Sequence, residues 1–182
     1  MGKSHDLATI ATDGLPTLEV DTIKNTSGTT ALTVDSAGRV LKPVIPSFMV
    51  SAAGTWAALS TGDAISFNTD SGNQLFNNGN HFNTSSYAFV APVAGLYSFS
   101  VQIYTAQSDT SNAFAPYLNG TIVKLQGATG LYLQHGEDAA LDETTSLTFL
   151  LNLSVSDSVK IHAITGSDIY GSACMFCGHL VG

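Results

Sequence analysis

A chain of 182 residues, 44% of them hydrophobic and only 11% charged, is long enough for one domain of ordinary size with an extension. The 14 acidic residues outnumber six dispersed Lys and Arg residues, and the resulting net charge of −8 disfavours a nucleic-acid partner, because phosphate contacts need clustered basic side chains. No apolar run approaches the length of a membrane span, and the first residues lack the apolar core of a secretory signal, so we expect synthesis in the cytoplasm and no membrane insertion.

Residues 1–46 are predicted to form an N-terminal arm with almost no aromatic residues. The pattern of Leu18–Asp21 recurs fourteen residues later as Leu32–Asp35, and turn signals follow at Gly28 and Gly38. Strands this short cannot bury enough apolar surface alone to offset their ordering entropy. We therefore predict that identical chains pack about a shared axis in this region.

The segment 21–40 resembles the stem segments that precede the heads of bacteriophage tail-fibre and virion-appendage proteins. This resemblance implies an arm that trimerises and docks on other proteins of a virus particle, with Leu7, Ile10 and Leu15 as candidate docking residues. A generic two-strand extension is the alternative. Pro43 and Pro46 bracket the predicted junction, because each proline forces the preceding residue into an extended conformation.

Residues 47–182 are predicted to form a head of strands and turns without a helix. Phe48 opens the first strand. From Gly95 onward apolar and polar residues alternate, so that Tyr97, Phe99 and Val101 share one face, which is the period of a strand with one apolar side. A helix would scatter these three side chains.

Turns and loops divide the rest of the head. Asn119-Gly120, between alternating apolar residues, predicts a type I′ hairpin. The long apolar run 146–155 has mixed alternation, which suggests burial on both faces by the sheet sandwich and by neighbouring subunits. Polar stretches around 69–80, 107–113 and 165–172 are predicted to be exposed loops.

The spacing of aromatic residues in the head resembles the motif of the C1q/TNF-like globular domain. The matching positions are Asn77, Phe82, Phe89, Gly95, Tyr97 and Phe99, with further likeness at Phe48, Asn119-Gly120, Asp157 and Phe176. The resemblance implies an all-β jelly-roll β-sandwich that assembles as a homotrimer. It also implies that certain aromatics pack the core and the trimer, namely Phe82, Phe89, Tyr97, Phe99, Phe149 and Phe176.

No catalytic constellation stands out, and we predict a protein that is not an enzyme. The five histidines form no His-x-His or HExxH pattern. Cys174 and Cys177 are spaced like a redox pair or half a zinc site, with His179 nearby, but residues three apart in a strand point to opposite faces, so packing is the favoured interpretation.

No cofactor is predicted, although calcium is a weak option. Acidic side chains that a calcium ion would need are found in the loops, at Glu137, Asp138, Asp142, Glu143 and Asp109. They lack the alternating carboxylate pattern of a dedicated calcium loop, so solvated turn residues are the better interpretation.

The first functional hypothesis is a bacteriophage virion protein, a trimeric fibre or decoration protein whose head faces outward and contacts a host-surface glycan or protein. The candidate surface-binding residues are Asn73, Asn78, Asn80, Asp109, Asn112, Asp168 and Tyr170. Trp56 and Tyr170 are also candidates for stacking on sugar rings, although an aromatic residue of a sandwich more often belongs to the core.

The second hypothesis is a free carbohydrate-binding or cytokine-like module that is not attached to a virion. A third is a small hydrolase acting on surface polysaccharide, which would need an acidic pair in a groove.

Overall fold

The computed structural model describes residues 21–42, 45–72, 74–106, 112–125, 129–135 and 142–181. The chain divides into two compact units, Met1–Val44 and Ile45–Gly182. We call the described part of the first unit the arm sheet and the second unit the head. The division falls two residues before residue 47, where the sequence predicts that the head begins.

The arm sheet is a three-stranded antiparallel meander over residues 21–42. Its strands are β1 (Thr22–Lys24), β2 (Thr30–Val34) and β3 (Val40–Leu41). None of the described residues 21–42 is buried, and Ile23, Val40 and Leu41 are 49%, 61% and 46% exposed. Within one chain, therefore, this sheet covers little of its own apolar surface. The first copy of the sequence repeat, at Leu18, lies outside the described residues.

Both turns of the arm sheet are built in the same way. The Asn25 side-chain oxygen accepts hydrogen bonds from the backbone N–H groups of residues 27 and 29, and the Asp35 side-chain oxygen accepts from those of residues 37 and 39, at 2.9–3.1 Å. Gly28 and Gly38 adopt φ of +89° and +76°, which glycine tolerates without strain. The predicted turns at these glycines are confirmed.

The described strands of the head follow one another without an α-helix, apart from a short 3₁₀ turn at Gly171–Ala173. In chain order they are β4 (Ser47–Ser51), β5 (Trp56–Leu59), β6 (Phe76–Asn78), β7 (Phe82–Asn83), β8 (Ala88–Val90), β9 (Gly95–Thr105), β10 (Asn112–Leu118), β11 (Thr121–Ile122), β12 (Leu133–His135), β13 (Glu143–Leu153), β14 (Ser158–Ala163), β15 (Ser167–Tyr170) and β16 (Met175–Leu180). Within the described residues, no helix is long and apolar enough to cross a membrane.

These strands form two antiparallel sheets that pack face to face. Sheet I has the order β11-β10-β14-β8-β7, with β12 paired to β10. Sheet II has the order β5-β15-β9-β16-β4-β6, with β13 paired along the other edge of β9. The strand β16 thus lies between β4 and β9, which are far apart in the sequence. This arrangement is the predicted all-β jelly-roll sandwich.

The core lies between the two sheets and is rich in aromatic rings. On β9 the side chains of Tyr97, Phe99, Val101 and Ile103 are fully buried, which confirms the predicted alternation. Phe48 of sheet II stacks on Phe89 of sheet I with ring centroids 5.1 Å apart. All the aromatics that the resemblance implied for packing are buried, with exposures of 0–6%: Phe82, Phe89, Tyr97, Phe99, Phe149 and Phe176.

A glycine occupies the centre of this aromatic core on sheet II. The pairing of strands places Gly178 of β16 directly between Phe48 of β4 and Phe99 of β9. A Cβ atom at Gly178 would lie 2.5 Å from Phe99 Cδ1 and 2.9 Å from Phe48 Cε1. The missing side chain is therefore what allows these two rings to approach each other.

Strand β13 was predicted to be buried on one face by the sandwich and on the other by neighbouring subunits, and the single chain confirms the first of these. Its inward face carries Phe149 and Leu153, which are buried, whereas Leu150 on the other face is 58% exposed. The sandwich covers only one face of this strand, because sheet I packs on the side of Phe149 and Leu153, and among the described residues no further sheet lies on the side of Leu150. Burial of the other face by a neighbouring subunit stays a prediction.

Two connected turns close one end of the sandwich. Asn119 and Gly120 have φ of +50° and +79°, which confirms the predicted hairpin between β10 and β11. Asp157, in the turn between β13 and β14, accepts hydrogen bonds from Asn119 Nδ2 at 2.7 Å and from the backbone N–H of Ser154 at 2.8 Å. These bonds, the one from Asn119 first, lower the pKa of Asp157 below its usual value.

The same turn contains a non-glycine residue in the left-handed region. Ser156 has a φ of +71°, a conformation that costs an L-residue free energy and glycine almost none. We expect Ser156→Gly to raise the free energy of unfolding by about 1 kcal/mol, measured by chemical denaturation. Ser154→Gly is the matched control, since Ser154 has no positive φ; an equal gain in both variants would contradict the explanation.

Candidate functional site on sheet II

Three aromatic side chains that are distant in the sequence meet on the outer face of sheet II, and we call Trp56, Tyr104 and Tyr170 the aromatic patch. Trp56 opens β5 and pairs with Tyr170 at the end of β15. Tyr104 lies outward on β9 because its neighbours Ile103 and Thr105 are buried. Trp56 is 45% exposed, so the patch is accessible in the single chain.

The rings of the aromatic patch contact one another. Trp56 and Tyr170 meet edge to face with centroids 5.2 Å apart, and Tyr104 lies 5.9 Å from Trp56 and 6.2 Å from Tyr170. The Tyr104 hydroxyl donates a hydrogen bond to Asp142 Oδ2 at 3.1 Å. A cavity of about 320 Å³ is lined by the patch together with Asp142 and Ala173.

The electrostatics of the patch keep Tyr104 protonated. Partial desolvation and then the hydrogen bond to Asp142 raise the pKa of Tyr104 above its usual value. At neutral pH the phenol therefore remains a donor, and Asp142 Oδ2 accepts its hydrogen bond. The patch can offer a ligand an apolar surface with polar groups at its edge.

The aromatic patch lies far from the point where the chain enters the head. Ser47 is level with Ser98 of β9, since both pair with His179. Tyr104 is six residues further along the same strand, which corresponds to about 20 Å. The patch is therefore at the end of sheet II opposite to the start of the head.

The part of the outer face of sheet II that β4, β9, β13 and β16 form carries no Asp, Glu, Lys or Arg side chain. Its outward residues are Ser47, Met49 and Ser51 on β4, Leu96, Ser98, Ser100, Gln102 and Tyr104 on β9, Thr144, Ser146, Thr148, Leu150 and Asn152 on β13, and Met175, Cys177 and His179 on β16. A second cavity of about 600 Å³ opens on this face beside Met49, Gln102 and Met175, and it shares Ala173 with the cavity of the aromatic patch.

The structure separates the predicted surface-binding residues. Asn78 and Asn80 are exposed, and Asn78 donates a hydrogen bond to Ser47 Oγ at 2.8 Å. Asn80 has a φ of +56° in the turn before β7. Asn73 and Asp109 lie outside the described residues, as do the candidate docking residues Leu7, Ile10 and Leu15.

The prediction that Asn112 belongs to an exposed loop is wrong. Asn112 is the first residue of β10 and is fully buried, with no hydrogen-bond partner for either atom of its amide. The residues that follow it, up to Pro116, are buried as well, so β10 is covered on both of its faces at this point. Asn112 follows a polar stretch in the sequence, which suggested a loop, but strand β10 already begins at Asn112.

Asp168 and Tyr170 are exposed in part, but they lie in strand β15 and not in the predicted loop. The core interpretation of Trp56 is also wrong, because its ring lies on the outer face of sheet II. Sequence reasoning singled out Trp56 and Tyr170 but missed Tyr104 and the role of Asp142. The alternation of β9 was a signal for Tyr104, since it directs that side chain away from the core.

The cysteines behave as packing residues. Cys174 is buried and Cys177 lies on the outward face of β16, so the two thiols point apart, as the strand spacing predicts. Burial raises the pKa of both thiols, which makes them less reactive. Within the described residues, no three His, Cys, Asp or Glu side chains come together as a metal site. The calcium candidates Asp109, Glu137 and Asp138 lie outside those residues.

Comparison with known protein families identifies the family to which the head belongs. The C1q domain family matches residues 47–181. The chain belongs to the C1q family. Its C1q head resembles the globular domain of the zebrafish complement 1qA protein, with a TM-score of 0.59 and 16% identity over 75% of this chain and 98% of that chain.

The C1q head is also similar to Eiger TNF from S. frugiperda, with a TM-score of 0.55 and 11% identity over 76% of this chain and 93% of that chain. Comparison with curated protein sequences finds no significant match. At these identities the two structures establish the fold alone. They confirm the predicted C1q/TNF-like jelly roll.

Proposed function

We propose that this chain is a non-enzymatic structural protein of a bacteriophage virion, a homotrimeric fibre or decoration protein whose C1q head faces outward. The observation that carries the proposal is the arm sheet, in which Ile23, Val40 and Leu41 stay exposed within one chain. Such a sheet needs further copies of itself, or a particle, to cover its apolar side chains. The resemblance of segment 21–40 to virion stems supports the same conclusion.

The trimer is supported by the outer face of sheet II. C1q and TNF domains typically form homotrimers. On this face the strands β4, β9, β13 and β16 carry no Asp, Glu, Lys or Arg side chain, and the cores of protein interfaces are depleted in charged residues. Leu150 of β13, 58% exposed in the single chain, adds a large apolar side chain to this face. We therefore assign this face to the contact between subunits.

A trimeric head suits a surface-binding role. Three copies of the same loops, held together, engage a repetitive host surface with a high effective concentration, so that weak individual contacts add up to firm attachment. The residues 1–46 would hold the trimer on other virion proteins, with Leu7, Ile10 and Leu15 as the docking residues. The protein would be made in the host cytoplasm and then reside in the virion.

Truncation of the arm tests this proposal. Particles are prepared from a genome that encodes the whole chain and from one that encodes only residues 47–182, and an antiserum against the head detects the protein in sedimented particles. We expect the whole chain to sediment with the particles and the truncated chain to remain in the supernatant as a folded trimer. Equal amounts on both particles would contradict the docking role of the arm.

A free carbohydrate-binding or cytokine-like module is the second candidate, and the exposed aromatic patch favours its carbohydrate-binding form. The same antiserum distinguishes the virion protein from a free module. A free module would be found in solution with or without residues 1–46 and would not label particles in immunoelectron microscopy.

A further inference from the structure

We infer that the outer face of sheet I binds the acidic groups of a surface polysaccharide through Lys124 and Lys160. The inference rests on the proposed role in host-surface contact, and it names the ligand class and its site. Sheet I packs on sheet II through the core, so its outer face points away from the surface assigned to the subunit contact. That contact therefore leaves the outer face of sheet I open to a ligand.

The head contains only two Lys or Arg side chains, and the fold brings both of them to β10. The other four basic residues of the sequence precede the head, at Lys3, Lys24, Arg39 and Lys42. Lys160 of β14 is level with Tyr117 on one side of β10. On the other side, β11 pairs with β10, and Lys124 follows two residues after Ile122, the partner of Tyr117. The chain segments that carry the two lysines are therefore about 10 Å apart, with β10 between them.

Both lysine side chains are directed outward from sheet I. Lys160 points away from the core because its neighbours in β14, Val159 and Ile161, are fully buried there. The backbone N–H of Val123 donates a hydrogen bond to a carbonyl oxygen of β10 at 2.9 Å, so the pairing of β11 with β10 continues towards Lys124. Strand alternation then places Lys124 on the same face as Lys160, and Lys124 is exposed.

No acidic side chain belongs to the strands of this sheet, although the chain has 14 acidic residues against six basic ones. The strands β7, β8, β10, β11, β12 and β14 contain neither Asp nor Glu. In the flanking turns, Asp157 already accepts two hydrogen bonds, and Asp63 accepts one from the backbone N–H of Ser60 at 2.7 Å. Among the described residues, neither lysine of the head forms an ion pair. Both ammonium groups are therefore available to an anionic ligand.

The groups beside the lysines suit the hydroxyl groups of a sugar. The rings of Tyr117 and His162 lie with their centroids 4.3 Å apart. His162 Nδ1 is 2.8 Å from Gly62 O, and because a carbonyl oxygen can only accept, Nδ1 carries the proton and Nε2 is left as an acceptor. Nε2 and the Tyr117 hydroxyl can then bind sugar hydroxyl groups while the lysines bind the acidic groups.

The small number of cations favours an acidic polysaccharide over a nucleic acid. Binding to a phosphate backbone grows with the number of phosphates that Lys and Arg neutralise, and two lysines in each head neutralise few. A polysaccharide supplies hydroxyl groups for Tyr117 and His162 as well, and its repeats can reach all three heads of a trimer at once. The acidic residues elsewhere in the head repel it little, since the Debye length at physiological ionic strength is about 8 Å.

Calorimetric titration of the full-length protein tests the ligand class with two matched pairs of oligosaccharides. Oligogalacturonate is compared with its methyl ester, which keeps the sugar chain and removes the charge. An oligomer of N-acetylglucosamine 1-phosphate is compared with a chitooligosaccharide of equal length. We expect at least one acidic oligomer to bind about tenfold or more tightly than its neutral counterpart, and the pair that shows the difference identifies the acid as carboxylate or phosphate.

Variants then locate the site. Lys160→Gln and Lys124→Gln should each weaken binding of the acidic oligomer by about tenfold, because each removes one charge-assisted contact. Lys160→Arg should retain most of the binding. Lys24→Gln is the matched control, since it removes the same charge from an exposed strand of the arm sheet and should leave the affinity unchanged.

Several results would overturn the inference. They are the absence of binding by both acidic oligomers, equal binding by Lys160→Gln and the unchanged protein, an equal loss in Lys24→Gln, tighter binding of double-stranded DNA than of either oligomer, and loss of the trimer in Lys160→Gln, which would make this face a subunit contact. None of them bears on whether the arm attaches the protein to particles, which sedimentation of particles measures. Failure of the polysaccharide site and failure of the virion proposal are thus distinguishable.

Discussion

Replacing Gly178 with valine is expected to unfold the head, or to lower its free energy of unfolding by about 3 kcal/mol or more. Even the first carbon of a side chain at this position would lie 2.5 and 2.8 Å from two atoms of Phe99 and 2.9 Å from Phe48. Both rings are fully buried in the aromatic core and cannot move aside without disturbing their own neighbours. Valine adds two further methyl groups to this clash.

The measurement is chemical denaturation followed by circular dichroism. Gly178→Ala should give an intermediate loss, because it adds only the Cβ atom. Gly166→Ala is the matched control, since a Cβ there would meet only Leu59 O, at 3.4 Å. A Gly178→Val head with an unchanged midpoint would show that the row of Phe48, Gly178 and Phe99 is not packed as described.

Replacing Leu150 with arginine is expected to convert the trimer into folded monomers. In the proposed assembly Leu150 lies within the subunit contact, and an arginine there would place an uncompensated charge in each of three interfaces at a cost of several kcal/mol per ion. Sedimentation should change from about three times 18.9 kDa to a single chain. The circular dichroism spectrum of the variant should keep its β-sheet form.

Val155→Arg is the control for this experiment. Val155 is 60% exposed, much like Leu150, but lies beyond the end of β13 in the turn before β14. It should sediment as the unchanged protein does. If the Leu150→Arg variant remains a trimer, the subunit contact lies on another surface. If the unchanged chain is a monomer at micromolar concentration, the proposed trimer does not form.

The elements that could be predicted from sequence are those fixed by neighbours along the chain. The alternation from Gly95 is a local property of one strand, and it holds because one face of β9 packs against sheet I. Asn119-Gly120 adopts its turn because both residues tolerate positive φ. The C1q motif could be recognised as well, because its aromatic residues occur at fixed spacings along the chain and fill fixed places in one core.

The elements that were missed depend on what other parts of the chain lie over them. Asn112 has polar neighbours in sequence, yet the packing around β10 buries it. Leu150 has apolar neighbours in sequence, yet its side chain is 58% exposed within one chain, because in the proposed trimer its burial depends on another subunit. Trp56, Tyr104 and Tyr170 are brought together by the pairing of β5, β15 and β9, and no local pattern reports such a long-range register.

The central place of β16 in sheet II has a consequence for biosynthesis. Its partners β4 and β9 are made early, but neither can complete its hydrogen bonds until the ribosome has added Met175–Leu180. The folding of this sheet therefore follows translation, and until then the apolar faces of β4 and β9 depend on chaperones or on rapid collapse to avoid aggregation. A chain that ends prematurely, before residue 175, leaves a gap in the middle of the sheet and offers the cell an aggregation-prone fragment in place of a partial head.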